Sequence, residues 1–341
     1  KQYRDAIKIY NKVNKESLDE DERNECKFKE AYCYYQTNDV DEAKPIFEEL
    51  TKTDNQYIND ARYYHAHILY IDENYDEALK YFNLIKNYEK YKDIADTYIL
   101  QINFEKNNYT EVCLNGDEIL NKAKKKRKAD IALMMAESWY HQGDYSKSIE
   151  YYKIVNENSN RKLPREVEFK IAFCMMKTND FEGAIDHFAK VTDSDDELGQ
   201  YGSYYMAQCY TNTGQDKFAR NTFYKAYKMN LNDSISENAL MNYAILSFIP
   251  GIDPFNETVS VLNDYIKNNP NSNNIAELQE ITIHLLLNSN DYDAALECME
   301  QYPKLSQELK NIQSELTYSA GMQQYKDGNF AEALKYFKKS T

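Results

Sequence analysis

The residues with chemistry to offer are few and scattered. His65 and His67 stand two apart in a segment of helical spacing, which turns them to different faces and keeps them from sharing a metal ion. They read as packed or groove-facing imidazoles. Asp193, Asp195, Asp196 and Glu197 have the density of a calcium loop, but the glycine such a loop needs is displaced to Gly199, and Tyr204 stands where its closing glutamate belongs. That run reads as a connector and helix start. The six cysteines contain no CxxC, the spacing that zinc or redox chemistry would use. Cys33, Cys174 and Cys209 each precede an alanine (Ala43, Ala184, Ala219) by ten residues, so they recur at one structural place. Equivalent places in stacked helical units lie about 10 Å apart, beyond the roughly 7 Å reach of a disulfide. Free thiols are expected. GxSxG, GxxxxGK[ST], HExxH and a strand-borne GxGxxG are all missing, so we expect no catalytic role, no metal and no cofactor.

Charge narrows the partners. A net charge of -15 opposes nucleic acid, whose phosphates are held by cation-rich surfaces. One basic block, Lys122 to Lys128 (KAKKKRK), runs against that balance. It falls between two helical segments and reads as a solvated, self-repelling helix end, with a localisation signal or a patch for an acidic partner as alternatives. No apolar run approaches the roughly 18 residues that cross a bilayer.

The elements that must position these residues come from an internal repeat. An aromatic-acidic-alanine phrase occurs ten times at intervals of 34 to 39 residues: QYRDAIKIY at Gln2, NYDEALKYF at Asn74, DYSKSIEYY at Asp144, DFEGAIDHF at Asp180, DYDAALECM at Asp291 and NFAEALKYF at Asn329, with weaker copies from Asp39, Asn108, Gln215 and Pro254. A period of this size marks a stacked helical array. In one unit, Ala61, Tyr64, Ile68 and Ile71 keep helical spacing, Glu73-Asn74 breaks it, and Ala78, Leu79, Phe82 and Ile85 resume it. Each unit is therefore two short helices and a tight turn. Small residues twelve apart (Ala31 with Ala43, Ala66 with Ala78, Ala136 with Ser148, Ala172 with Ala184, Ala207 with Ala219, Gly321 with Ala333) let the pair approach closely. A large residue four places on (Phe47, Phe82, Tyr152, Phe188, Phe223, Phe337) fills the space beside them.

These spaced small and aromatic residues resemble the tetratricopeptide repeat family over essentially the whole chain. Of the closing prolines, only Pro270 is in place; the copy near Pro250 to Pro254 carries an insertion and Thr258 for the alanine, so a local irregularity at 249–258 is expected. The resemblance implies an all-α, right-handed superhelical solenoid of about nine helix pairs plus a partial one, forming one array over 1–341. The chain opens and closes inside second-helix phrases, which reads as a piece excised from a longer array, with an expected monomer. The repeat style is similar to long exported members of the family from Gram-negative bacteria, implying a periplasmic or outer-membrane-associated place, with the cytoplasm as the alternative that the free cysteines favour.

The resemblance also implies a concave groove lined by the first helix of each unit. Three positions per unit project into it: Phe28, Tyr32 and Tyr35; Tyr63, His67 and Tyr70; Thr97, Gln101 and Phe104; Leu133, Glu137 and Tyr140; Phe169, Phe173 and Met176; Tyr201, Tyr204 and Gln208; Tyr318, Met322 and Tyr325. Aromatics dominate, and exposed Tyr gives large contact area at little entropic cost. The expected function is a non-catalytic scaffold binding a peptide or protein segment through these rings. Inter-repeat packing alone, a structural spacer or self-assembly module, and a targeting domain of a longer protein are the alternatives. The acidic C-terminal peptide held by chaperone-type members is not expected, because the Lys and Asn they use are replaced here by Phe28 and Tyr32, Tyr63 and His67, Phe169 and Phe173.

Overall fold

One backbone solution closes eight of the helix pairs, and it comes from the residue at the turn. Asn38, Glu73, Asn107, Gly143, Asn179, Gly214, Asn290 and Gly328 all have positive φ, between 57° and 82°. The next residue then donates its N–H five residues back: Asp39 to Tyr34 O at 2.9 Å, Asn74 to Leu69 O at 2.8 Å, Asp180 to Met175 O at 2.8 Å, Asn329 to Gln324 O at 2.9 Å. This left-handed cap satisfies the last carbonyls of the first helix and reverses the chain within two residues. Asparagine and glycine prevail because they reach that conformation at least cost. Asp144, Asp180 and Asp291 then start the second helix by accepting from the backbone N–H three residues on.

The computed structural model describes residues 2–159, 162–249, 257–302 and 305–340, and among these residues the chain is all-α. It divides into two compact units, 1–162 and 163–341. In the first unit, α1 (Gln2–Tyr10) precedes four antiparallel pairs: α2 (Glu20–Gln36) with α3 (Val40–Leu50), α4 (Ile58–Ile71) with α5 (Tyr75–Ile85), α6 (Lys92–Glu105) with α7 (Tyr109–Lys122), and α8 (Lys125–Gln142) with α9 (Tyr145–Asn158). The second unit holds five pairs: α10 (Arg165–Lys177) with α11 (Phe181–Ala189), α12 (Glu197–Asn212) with α13 (Asp216–Met229), α14 (Asp233–Leu246) with α15 (Glu257–Asn268), α16 (Ile275–Asn288) with α17 (Tyr292–Gln301), and α18 (Gln307–Lys326) with α19 (Phe330–Lys339). Residues 250–256, where the local irregularity was expected, lie outside the described residues. Thr258, just beyond them, is buried on α15 and hydrogen-bonds Arg220 Nη2 at 3.1 Å and Ser247 Oγ at 2.7 Å.

Packing follows the small-large rule. Ala31, Ala43, Ala66, Ala78, Ala172, Ala184, Ala207 and Ala219 are fully buried, as are Phe47, Phe82 and Phe188. Where Ser148 replaces alanine, its hydroxyl donates to Ala136 O at 2.8 Å, so the extra polar atom is satisfied. The large aromatic also joins one pair to the next by stacking on a tyrosine of the following first helix. Phe47 meets Tyr64 at 5.2 Å and 19°, and Phe82 meets Tyr98 at 4.9 Å and 9°; within the second unit, Phe188 meets Tyr205 at 6.2 Å and 21°.

The α6–α7 pair breaks the rule. Its small position holds Leu100, its alanine is Val112, and its large aromatic is Gly116. Met135 of α8 occupies the vacated space so fully that a methyl on Gly116 would fall 1.8 Å from the Met135 sulfur. Large and small have exchanged partners, and the core stays filled.

Candidate functional site

In the first unit the first helices α2, α4 and α6 are joined by a run of half-buried aromatic rings. Phe28 stacks on Tyr57 at 4.7 Å, and Tyr32 meets Tyr64 edge-on at 5.4 Å. Tyr35 also meets Tyr64, at 5.0 Å, and its hydroxyl hydrogen-bonds His67 Nδ1 at 2.9 Å. His67 continues to Tyr98 at 5.3 Å, and Tyr98 to Tyr70 at 5.1 Å. Tyr63 lies beside Tyr64 and stacks on Tyr91 at 5.8 Å. Six residues expected in the groove (Phe28, Tyr32, Tyr35, Tyr63, His67, Tyr70) thus fall on one continuous face.

Two members of that run, Tyr64 and Tyr98, were not among the expected positions. They knit the others together by lying between second-helix phenylalanine and first-helix tyrosine. The signal for them was an aromatic two residues before the small position, shared by Tyr64, Tyr98 and Tyr205. Burial pushes the hydroxyls of Tyr35, Tyr63, Tyr64, Tyr70 and Tyr98 up from the usual phenol value. They remain neutral donors and acceptors at physiological pH. Burial also lowers the pKa of His67, so its ring is a neutral imidazole there. His65 points elsewhere, buried against Tyr81 at 4.7 Å.

The remaining expected residues make other ring contacts. Phe104 meets Tyr109 at 6.0 Å, and Tyr140 meets Tyr145 at 5.9 Å, both across the turn of their own pair. In the second unit, Phe173 at 5.3 Å and Phe169 at 6.1 Å surround Tyr205, while Tyr201 and Tyr204 adjoin the same ring at 6.5 and 5.4 Å. Tyr318 and Tyr325 are each 54% exposed.

The other candidates for chemistry resolve structurally. All six cysteines are free, five of them buried, and burial pushes the Cys113 thiol up to about 11 and that of Cys209 up to about 12. Such thiols hold their protons and are poor nucleophiles. Asp196 caps α12 through Gly199 N and takes two bonds from Arg165, at 2.5 and 2.9 Å; that guanidinium holds its carboxyl at about 2. Among the described residues no group of three or more His, Cys, Asp or Glu could hold a metal ion, and no helix is long and apolar enough to cross a membrane.

Among solved structures the chain is similar to Naa15/Naa10 bound to HypK-THB (13% identity, TM-score 0.47, covering 100% of this chain and 53% of that one). It is also similar to the C-terminal part of a TPR repeat-containing protein from Cytophaga hutchinsonii (12%, 0.35, 81% and 94%) and to the apo form of RapI (14%, 0.40, 93% and 96%). The chain spans about half the length of the Naa15/Naa10 chain it matches. No curated protein matches it. A family model described as Tetratricopeptide repeat matches residues 28–91, where the first aromatic rows and two of the left-handed turns lie. Residues 28–91 thus match tetratricopeptide repeats, a repeat type that generally mediates protein–protein interaction, and the same capped helix pair recurs through both units.

Proposed function

We propose that the chain is an interaction scaffold and that the aromatic face of α2, α4 and α6 receives an extended peptide or protein segment. The observation that carries this reading is the half-exposure of that face. Phe28, Tyr32, Tyr35, Tyr63, His67 and Tyr70 pack edge to edge yet none is fully covered, while the phenylalanines one layer beneath, Phe47 and Phe82, have no exposed surface. Rigid rings with lateral support lose little entropy when a partner settles on them. The Tyr35–His67 pair supplies a polar point at which a peptide amide can be oriented.

A second reading, that the rings serve only to tie helix to helix, is favoured by the same ring contacts. The two separate by experiment. A random-peptide display library is selected on the whole chain, and amide hydrogen exchange is measured with and without an enriched peptide. Added protection on α2, α4 and α6 supports the binding face; no enrichment, or protection confined to the second helices, leaves packing as the account.

A further inference from the structure

The α6–α7 exception extends to the surface. Most pairs set two small residues against each other, whereas this one sets Leu100 against Val112, and the distance between helix axes grows with the side chains at their contact. An open cavity of about 420 Å³ lies beside Leu100, where α5, α6 and α7 meet. The rest of its apolar lining is Leu79, Ile99 and Ile119, one residue from each helix. On α6 the lining is the stripe Asp96, Ile99, Leu100 and Asn103, turned about 100° from the stripe that carries Thr97, Gln101 and Phe104. The cavity therefore opens on a different side of α6 from the aromatic face.

Its polar lining is rich in acceptors. Asp96, Glu111 and Glu118 bring three carboxylates from two helices. Asn83 and Asn115 each donate their amide N–H to the carbonyl one turn back, Leu79 O at 2.9 Å and Glu111 O at 2.8 Å, which leaves both amide oxygens without a donor among the described residues. Glu118 is paired with Lys122, and Glu111 accepts from Asn115 Nδ2 at 3.2 Å. The half-buried Asp96 carboxylate makes no hydrogen bond or ion pair among the described residues. Burial raises its pKa, and Glu118 adds to that against the pull of Lys92, Lys122 and Lys86. Among the described residues of the lining the sole cation is Lys86, which makes no ion pair. Leu114 shares a face of α7 with Glu111 and Glu118 and is 72% exposed.

We propose that this cavity is a second binding site and takes an arginine of a partner protein segment: the guanidinium among Asp96, Glu111 and the amide oxygens of Asn83 and Asn115, its aliphatic stem on Leu79, Ile99 and Ile119, and an apolar neighbour over Leu114. A guanidinium offers five N–H donors in a plane and no acceptor, which matches acceptors converging from three helices. Its stem lies along apolar surface while the charged head stays among polar groups. An ammonium has fewer donors and holds its water more strongly. The exposed Leu114 favours a segment over free arginine, because a single amino acid in the cavity leaves that side chain uncovered.

Fluorescence anisotropy on the full chain tests this with a capped, labelled peptide that carries leucine beside arginine. The comparisons replace its arginine by lysine or by citrulline, which keeps the stem and the planar head without the charge. At low salt the arginine peptide should bind about tenfold more tightly than the citrulline peptide, with the gap closing as salt rises. Asp96→Asn, close in shape and with no ion pair to lose, should abolish the gap, and Lys86→Gln, which removes the competing cation, should widen it. Amide exchange should slow on α5 and α7 and stay unchanged on α2 and α4, so failure here leaves the aromatic face standing. Equal binding of arginine and citrulline peptides, a gap that survives Asp96→Asn, or slowing on α2 and α4 instead overturns the site. Lysine binding as tightly as arginine overturns the guanidinium, and capped free arginine binding as tightly as the peptide overturns the protein segment in favour of a small molecule.

Discussion

Glu73 occupies a backbone conformation that asparagine or glycine holds at the seven equivalent turns, with φ of 57°. A β-carbon there costs about 1–2 kcal/mol, and glycine carries an entropic penalty of about 0.5–1 kcal/mol, so Glu73→Gly should raise stability by up to about 1 kcal/mol in urea titration. An unchanged or lower midpoint would show that Glu73 is not strained. The two histidines of α4 give a second handle. Burial lowers both pKa values, so their contribution is complete above the unfolded value near 6.5 and is lost as pH falls through the depressed folded values. The thermal midpoint should therefore fall between about pH 7 and pH 5. A His65→Gln/His67→Gln variant should fall less over that range; an equal fall would assign the effect elsewhere. At this scale the sequence was only partly legible. Tyr63 and Tyr64 are neighbours of one type, and what separates them is that Tyr64 meets Tyr35 and stacks on Phe47, a side chain arriving from another helix.

At the scale of the helix pair, nearly everything was written in the repeat. Turn residues, small-residue contacts and the aromatic beside them each rest on a local rule, so nine pairs and a preceding helix could be counted from the phrases alone. The α6–α7 pair shows where such rules stop. Gly116 stands where a large aromatic is expected, and its compensation lies in Met135, a side chain of the next helix that no phrase includes. Gly116→Phe should therefore overpack this contact and cost about 1–3 kcal/mol, although it restores the family pattern. In a Met135→Ala background that cost should shrink by about 0.5–3 kcal/mol in a double-mutant cycle. Additive effects would mean that the two side chains do not share the space.

For the whole molecule, function does not follow from the fold, because an array of this kind positions whatever its first helices carry. The repeat constrains the alanines, the phenylalanines and the turns, and it leaves the aromatic rows free to vary. Among the described residues the six expected members on α2 and α4 form a single run, while Phe104 and Tyr140 are linked through Tyr109 and His141, and Tyr318 and Tyr325 meet Phe337 and Phe330 of their own pair. That difference arises from Tyr64 and Tyr98 filling the seams between first helices; an aromatic two residues before the small position marks both, but Tyr205 shares it, so the spacing alone does not announce the run. The most direct test is hydrogen exchange of the full chain with a display-selected peptide. The account predicts slowed exchange along α2, α4 and α6 with α3, α5 and α7 unchanged; slowing confined to the second helices, or to the second unit, would contradict it.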